Sequence, residues 1–228
     1  MGARARGRLI VFEGGEGVGK STQLARLAER LRDAGRRVHA LREPGGTPLG
    51  DEVRRLLLDP GGEVDGRAEA LLFMASRAQL VSRVVRPALE HGADVLLDRF
   101  FLSTYAYQVG GRGLPDGDVR AANHLATGGL VPDLTLVLTL PADEGLRRAA
   151  TRGAVDRMEG ADRAFHERVE AAFARALDAG WQREHRECGR IVAVDARGTE
   201  AEVGARVWRQ VTDAWPETFA AVPVSQHE

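Results

Sequence analysis

The sequence predicts an α/β fold, a five-stranded parallel sheet with helices on both faces. Three observations carry that expectation. Strand patterns alternate with helical patterns five times along the 228 residues, and the fully apolar runs among them belong to strands buried on both faces. The first of them, Leu9-Ile10-Val11-Phe12-Glu13, leads directly into a glycine-rich turn and then a helical pattern. Another, Val95-Leu96-Leu97, ends in Asp98-Arg99, which puts an acid and a base at the carboxyl end of a strand, where open parallel sheets hold their ligands. The length suits one large domain with a full core and is too short for two ordinary domains and a linker.

Taken in order, residues 1–7 read as a basic tail and 8–215 as the domain. After the first strand and its turn, Leu24, Leu27, Ala28 and Leu31 recur at helical spacing and Gly35 closes the segment, so Lys20 to Ala34 is a helix. Arg37 to Leu41 is a short strand, and the prolines and glycines of residues 42–48 make a loop. Leu49 to Leu58 is helical. Arg67 to Glu90 is one long helix or a kinked pair, with Pro87 able to bend it. After the strand Val95 to Asp98, a helical pattern through Tyr105 to Tyr107 is broken by Gly110-Gly111-Arg112-Gly113 and resumes from Asp116 to Thr127. Leu134 to Leu140 is the fourth strand. From Glu144 to Arg168 arginine is dense and Gly153 and Gly160 interrupt it, so short helices are expected around a mobile lid at about 147–163, followed by a helix to about Ala179. Arg190 to Asp195 is the last strand, and Val203, Val207 and Val211 give the last helix one apolar face. The tail 216–228 carries no pattern and is expected to be disordered.

The turn after the first strand, Gly14-Gly15-Glu16-Gly17-Val18-Gly19-Lys20-Ser21-Thr22, fits the phosphate-loop pattern of Gly, four residues, Gly-Lys-Ser in the strand–turn–helix context that the pattern requires. Backbone N–H groups and the positive end of the following helix meet phosphate oxygens, Lys20 reaches the outer phosphates and Ser21 ligates Mg²⁺. Lys20 is the only lysine; the other 31 basic residues are arginine. Asp98 can hold a metal-bound water and Arg99 can grip a second phosphate. Phe73 and Arg77 are four apart on one helix face, an aromatic ring beside a guanidinium, which suits a planar base that accepts hydrogen bonds. Tyr107-Gln108 could read a base or sugar, or cap a packed helix end. Arg147, Arg148, Arg152 and Arg157 form a basic cluster that is either a solvated face or a source of charge for a transferring phosphoryl group.

Bulk properties exclude several classes. A formal charge of −1 and a pI near 6.6 provide no basic field for nucleic acid or an anionic membrane. The single cysteine, Cys188, allows no internal disulfide. The apolar run behind the basic start is too short for a signal peptide and no stretch approaches a membrane span, so a cytoplasmic protein is expected. No pair among the six histidines has metal-ligand spacing.

Across roughly residues 8 to 213 the chain resembles bacterial thymidylate kinases of the nucleoside-monophosphate kinase group. The resemblance rests on the phosphate loop with acidic Glu16, Arg42-Glu43-Pro44-Gly45-Gly46-Thr47, Phe73 with Ser76-Arg77-Ala78-Gln79, Asp98-Arg99-Phe100, Ala106-Tyr107-Gln108 with Gly110 to Gly113, Ala126 to Leu130 with Pro132-Asp133, and Asp156-Arg157 before Phe165-His166. It implies a phosphate-loop kinase fold, ATP and Mg²⁺ as cofactors, dTMP as acceptor and a homodimer. On matching positions it implies that Phe73 stacks on thymine, that Arg77 meets the carbonyl edge and that Arg99 binds the acceptor phosphate. Tyr107, Gln108 and Glu43 belong to the acceptor pocket, and Glu16 lies near the sugar and acceptor phosphate. Some relatives carry a catalytic arginine in the phosphate loop; here that position is Gly17, which assigns the role to a lid arginine, Arg152 or Arg157. Three positions depart from the family pattern: Ser76 where aspartate is common, Thr139 where aspartate is common, and Met158 where an aromatic is usual. Two rivals stay open, a kinase for another pyrimidine monophosphate and a catalytically silent nucleotide-binding protein. A GTPase-type switch lacks the lysine of its guanine-reading motif.

Overall fold

The structure is a computed structural model that describes residues 6–150, 157, 158 and 160–219. Five parallel strands form one sheet in the order β2-β3-β1-β4-β5: β1 (Leu9–Glu13), β2 (Val38–Arg42), β3 (Asp94–Asp98), β4 (Leu134–Thr139) and β5 (Ile191–Asp195). In the central strands β1, β3 and β4 the alternation of side chains explains why the runs are almost wholly apolar. Leu9 and Val11 enter one core together with Val95, Leu97 and Val137, while Ile10 and Phe12 enter the opposite core with Leu96, Leu136 and Leu138.

One face is covered by α1 (Lys20–Asp33) and α10 (Glu200–Ala214), whose Leu24, Leu27, Leu31, Val203, Val207 and Val211 fill the second core. A capping box between Thr199 and Glu202 starts α10. Against the other face lie α3 (Gly66–Leu80), α4 (Arg86–Glu90), α5 (Phe101–Thr104), α6 (Asp116–Thr127) and α8 (Arg163–Arg175), with α2 (Pro48–Leu58) packed on α3. The remaining helices are α7 (Ala142–Ala150), α9 (Ala179–Glu184) and α11 (Pro216–Phe219). Among the described residues no helix is long and apolar enough to cross a membrane.

The structure corrects two expectations, at Gly110-Gly111 and at the end of the helix before Ala179, and adds detail at two other places. Of the two readings of Arg67 to Glu90, the structure has the single long helical stretch: α3 runs through a π turn, Val81–Val85, into α4 without a gap. Proline lacks an N–H and its ring crowds the preceding turn, and a widened turn just before it relieves both. Gly110 and Gly111 do not break the helix that holds Tyr107; they lie inside a π-helical stretch, Tyr105–Gly111. They are close-approach glycines, since a Cβ on Gly110 would stand 2.8 Å from the Ala172 Cβ and one on Gly111 2.4 Å from the Phe165 ring, both on α8. The helix expected to reach Ala179 ends at Arg175, and Asp178 caps the separate α9 by accepting from the Gly180 and Trp181 N–H groups. At the chain ends, Arg6 pairs with Asp133 at 2.9 Å and Gly7 N donates to Leu89 O at 2.8 Å, while Pro216–Phe219 is helical with Phe219 buried. Residues 1–5 and 220–228 lie outside the described residues, as do 151–156 and 159 of the expected lid.

Candidate active site

The turn between β1 and α1 is shaped by glycines at Gly14, Gly17 and Gly19, all with positive φ. Gly14 is further constrained because a Cβ there would stand 2.4 Å from Leu138 O on β4. Gly19 precedes α1 without any side-chain cap, and the first turn of α1 carries no acidic residue. Its N–H groups and the positive end of its dipole thus face the loop with no acidic side chain of its own first turn competing for them. Lys20 is buried and curls back so that Nζ donates to Gly14 O at 3.2 Å and Gly15 O at 2.6 Å. Burial, reinforced by Arg99, lowers its pKa to about 8, against the opposing pull of Glu16 and Asp98. Ser21 Oγ donates to Asp98 Oδ2 across from β3.

Arg99 is the one described non-glycine residue with positive φ, 72°. That conformation turns its side chain from the end of β3 back over the phosphate loop, where Nη1 donates to Gly14 O at 3.1 Å and Nη2 to Glu16 Oε1 at 2.6 Å. Its guanidinium also lies 5.0 Å from the centre of the Tyr107 ring, and the Tyr107 hydroxyl donates to the same Glu16 oxygen at 2.5 Å. Burial opposes ionisation of Glu16, yet Arg99, Lys20 and the Tyr107 hydroxyl hold its pKa at about 2. Glu13, the fully buried end of β1, fixes the turn from below: Oε1 accepts from Phe100 N at 2.8 Å and Ser103 N at 3.1 Å, and Oε2 from Ser103 Oγ at 2.5 Å. Burial raises the Glu13 carboxyl above its ordinary value. The strained Arg99 backbone is therefore held from both sides.

These residues line one end of a cavity of about 220 Å³. Its walls bring together the sequence-predicted Glu16, Gly17, Gly19, Lys20, Ser21, Glu43, Phe73, Arg77, Asp98, Arg99, Tyr107 and Gln108. Arg77, only 2% exposed, is more firmly held than the sequence suggested. Its Nε donates to Glu43 Oε2 at 2.7 Å, Nη1 to Thr104 Oγ1 at 2.9 Å and to Asn123 Oδ1, and Nη2 to Phe100 O at 2.8 Å. It fastens the Glu43 loop, α5 and α6 to one another and lines the cavity with what remains. Ser76 is fully buried behind that loop, where its Oγ accepts from Gly45 N at 3.2 Å, and it is not part of the cavity wall. Met158 is part of the wall. Sequence reasoning missed Arg54, whose Nη1 donates to Pro44 O at 3.1 Å beside the cavity, as well as Ser103 and Thr104.

The arginine cluster disperses. Arg148 Nη2 donates to Glu144 at 2.5 Å and Nη1 to Ala196 O at 3.3 Å. Arg157 Nη2 donates to Glu69 at 2.7 Å and Nε to Leu57 O at 2.9 Å, outside the cavity wall. Arg152 lies outside the described residues. A second cavity of about 460 Å³ opens on the other side of the phosphate loop, between the end of β4, α7, α8 and Arg197; Thr139 lines it, and Glu16 and Tyr107 belong to both cavities.

A parallel sheet, a glycine loop at its carboxyl edge and two cavities that meet at that loop make a site of the phosphate-loop class, suited to phosphorylated ligands. A family model described as thymidylate kinase matches residues 12–187. Proteins called thymidylate kinase are similar to this chain: that of Deinococcus radiodurans is 49% identical over 92% of this chain and 98% of its own, and that of a Synechococcus strain is 50% identical over 91% and 95%. One from Pseudomonas fluorescens is 50% identical over 86% and 91%. The chain belongs to the thymidylate kinase family and is an enzyme.

Proposed function

We propose that the chain transfers the γ-phosphate of ATP to dTMP, giving ADP and dTDP. The observation that carries the reading is the continuity of one cavity from Lys20 and Ser21 through Arg99 to Phe73, Arg77 and Gln108. A donor triphosphate on the phosphate loop then faces a monophosphate on Arg99, with the donor nucleoside on the side of the second cavity. A phosphate oxygen of the acceptor attacks Pγ, the bond from Pγ to the β,γ-bridging oxygen breaks, and that oxygen leaves on ADP with its electron pair. The phosphate dianion is already a nucleophile, so positioning and charge stabilisation supply the catalysis. Lys20 and the N–H groups of the loop carry the donor phosphates. Arg99 holds the acceptor phosphate, Glu16 and Tyr107 orient Arg99, and Phe73 stacks on the base.

Ser21 and Asp98 offer a hydroxyl and a carboxylate to a hard cation. A hydroxyl and one carboxylate beside a phosphate site suit Mg²⁺, a cation that keeps waters and takes phosphate oxygens. When bound there, Mg²⁺ neutralises charge on the phosphates. A lid arginine, Arg152 or Arg157, stabilises the transferring phosphoryl group; Arg157 donates to Glu69 at 2.7 Å. A homodimer is supported by exposed leucines on two helices that pack together, Leu71 of α3 (65% exposed) and Leu125 of α6 (85%). The test of the reaction is ATP-dependent turnover across a panel of nucleoside monophosphates: dTMP is the preferred acceptor, and preference for CMP or AMP overturns the reading.

A further inference from the structure

Glu69, in the first turn of α3, is a buried charge that the transfer itself does not use. Its side chain is fully buried, and three side chains from outside α3 converge on it. Gln108 Nε2 donates to Oε1 at 2.8 Å, Arg112 Nε to Oε1 at 3.2 Å and Nη2 to Oε2 at 3.0 Å, and Arg157 Nη2 to Oε2 at 2.7 Å. Burial alone would push the carboxyl up, yet hydrogen bonds from Arg112, Gln108 and Arg157 bring it below its ordinary value. An ionised carboxylate accepts hydrogen bonds and cannot donate one. Gln108, itself 2% exposed, therefore has to turn its NH₂ to Glu69. Its Oε1 is left as the amide atom available to the cavity that Gln108 lines.

We propose that Glu69 is a specificity-determining positioning residue: it locks the Gln108 amide with its oxygen toward the acceptor, so that the cavity selects bases with an N–H at ring position 3. This rests on the reading of that cavity as the nucleoside-monophosphate site. Uracil and thymine carry N3–H between two carbonyls, whereas N3 of cytosine is a bare acceptor. A rotated amide would offer NH₂ to a cytosine N3. Rotation is blocked because it would set Gln108 Oε1 against the Glu69 carboxylate, two acceptors with no proton between them.

Glu69→Gln removes the block, since a neutral amide satisfies Gln108 in either orientation. The quantity to measure is the ratio of kcat/KM for dUMP to that for dCMP, two acceptors that differ only on the pairing edge. Wild-type protein favours dUMP, and the variant lowers the ratio by about tenfold or more. A carboxylate with a merely structural role would lower both values by the same factor, and an unchanged ratio overturns the proposal. Arg112→Gln, which keeps the bond from Gln108 to Glu69, leaves the ratio in place. Burying two guanidiniums without their anion can prevent folding; in that case E69Q/R112Q, which removes one charge of each sign, carries the same expectation. The side-chain NH₂ resonance of Gln108 in wild-type protein needs no variant: it exchanges slowly with water, with or without dUMP, and fast exchange overturns the proposal. Absence of turnover with both dTMP and dUMP in the wild type would instead overturn the parent reading.

Discussion

Lys20 shows how far one residue's chemistry follows from its surroundings. It is the only lysine in the chain, and the phosphate loop buries its ammonium against the carbonyls of Gly14 and Gly15. Burial and Arg99 bring its pKa to about 8, so above that pH most of the chains carry a neutral amine. A triphosphate beside Nζ favours the ammonium and raises the pKa again. ATP binding at pH 8.5 is therefore expected to draw protons from solution, by less as the pH is lowered to 7. Calorimetry in buffers of different ionisation enthalpy measures that uptake, and binding without proton uptake at pH 8.5 would contradict the electrostatic account. The residues that sequence reasoning found share a property with Lys20: each belongs to a spaced motif or ends an apolar run. Arg54 and Glu69 do neither. Arg54 stands next to Arg55 on α2, one of 31 arginines, and only the fold turns the first toward Pro44 and the second toward Glu52.

At the level of elements, the π-helical stretch Tyr105–Gly111 holds the site together. It presents Tyr107 and Gln108 to the cavity while its glycines let α8 close against it. Gly111→Ala would drive a methyl group into the Phe165 ring. The variant is expected to lose about 1–3 kcal/mol of stability, read as a lower denaturation midpoint; an unchanged midpoint would show that the close approach is not needed. The same pair explains a limit of sequence reading. Two adjacent glycines signal a break when only local conformation is weighed, and here tertiary packing decides their role. The central strands β1, β3 and β4, by contrast, were legible to within a residue or two because both cores demand them. The end of α8 was not, since the Asp178 cap that starts α9 lies inside a pattern that remains helical on either side.

At the scale of the whole molecule, the order β2-β3-β1-β4-β5 puts β1 at the centre and β3 beside it. Lys20 and Ser21 after β1 thereby meet Asp98 and Arg99 after β3, although nearly eighty residues separate them in sequence. The phosphate loop was readable without that geometry, whereas the pairing of Arg157 with Glu69 was not, because the two lie far apart in sequence and only the fold brings them together. The leucines at 71 and 125 make a further expectation: Leu71→Asp combined with Leu125→Asp converts a dimer to a monomer in analytical ultracentrifugation. A monomeric wild type would remove the dimer from the account. The central claim is direct transfer between two nucleotides across one cavity. Incubation with ATP labelled at the γ-phosphate and with dTMP tests it most directly: label should pass to dTDP in wild-type protein and fall at least about a hundredfold in a folded Lys20→Ala variant. Label recovered only as inorganic phosphate, or dTDP formed equally well by the variant, would contradict it.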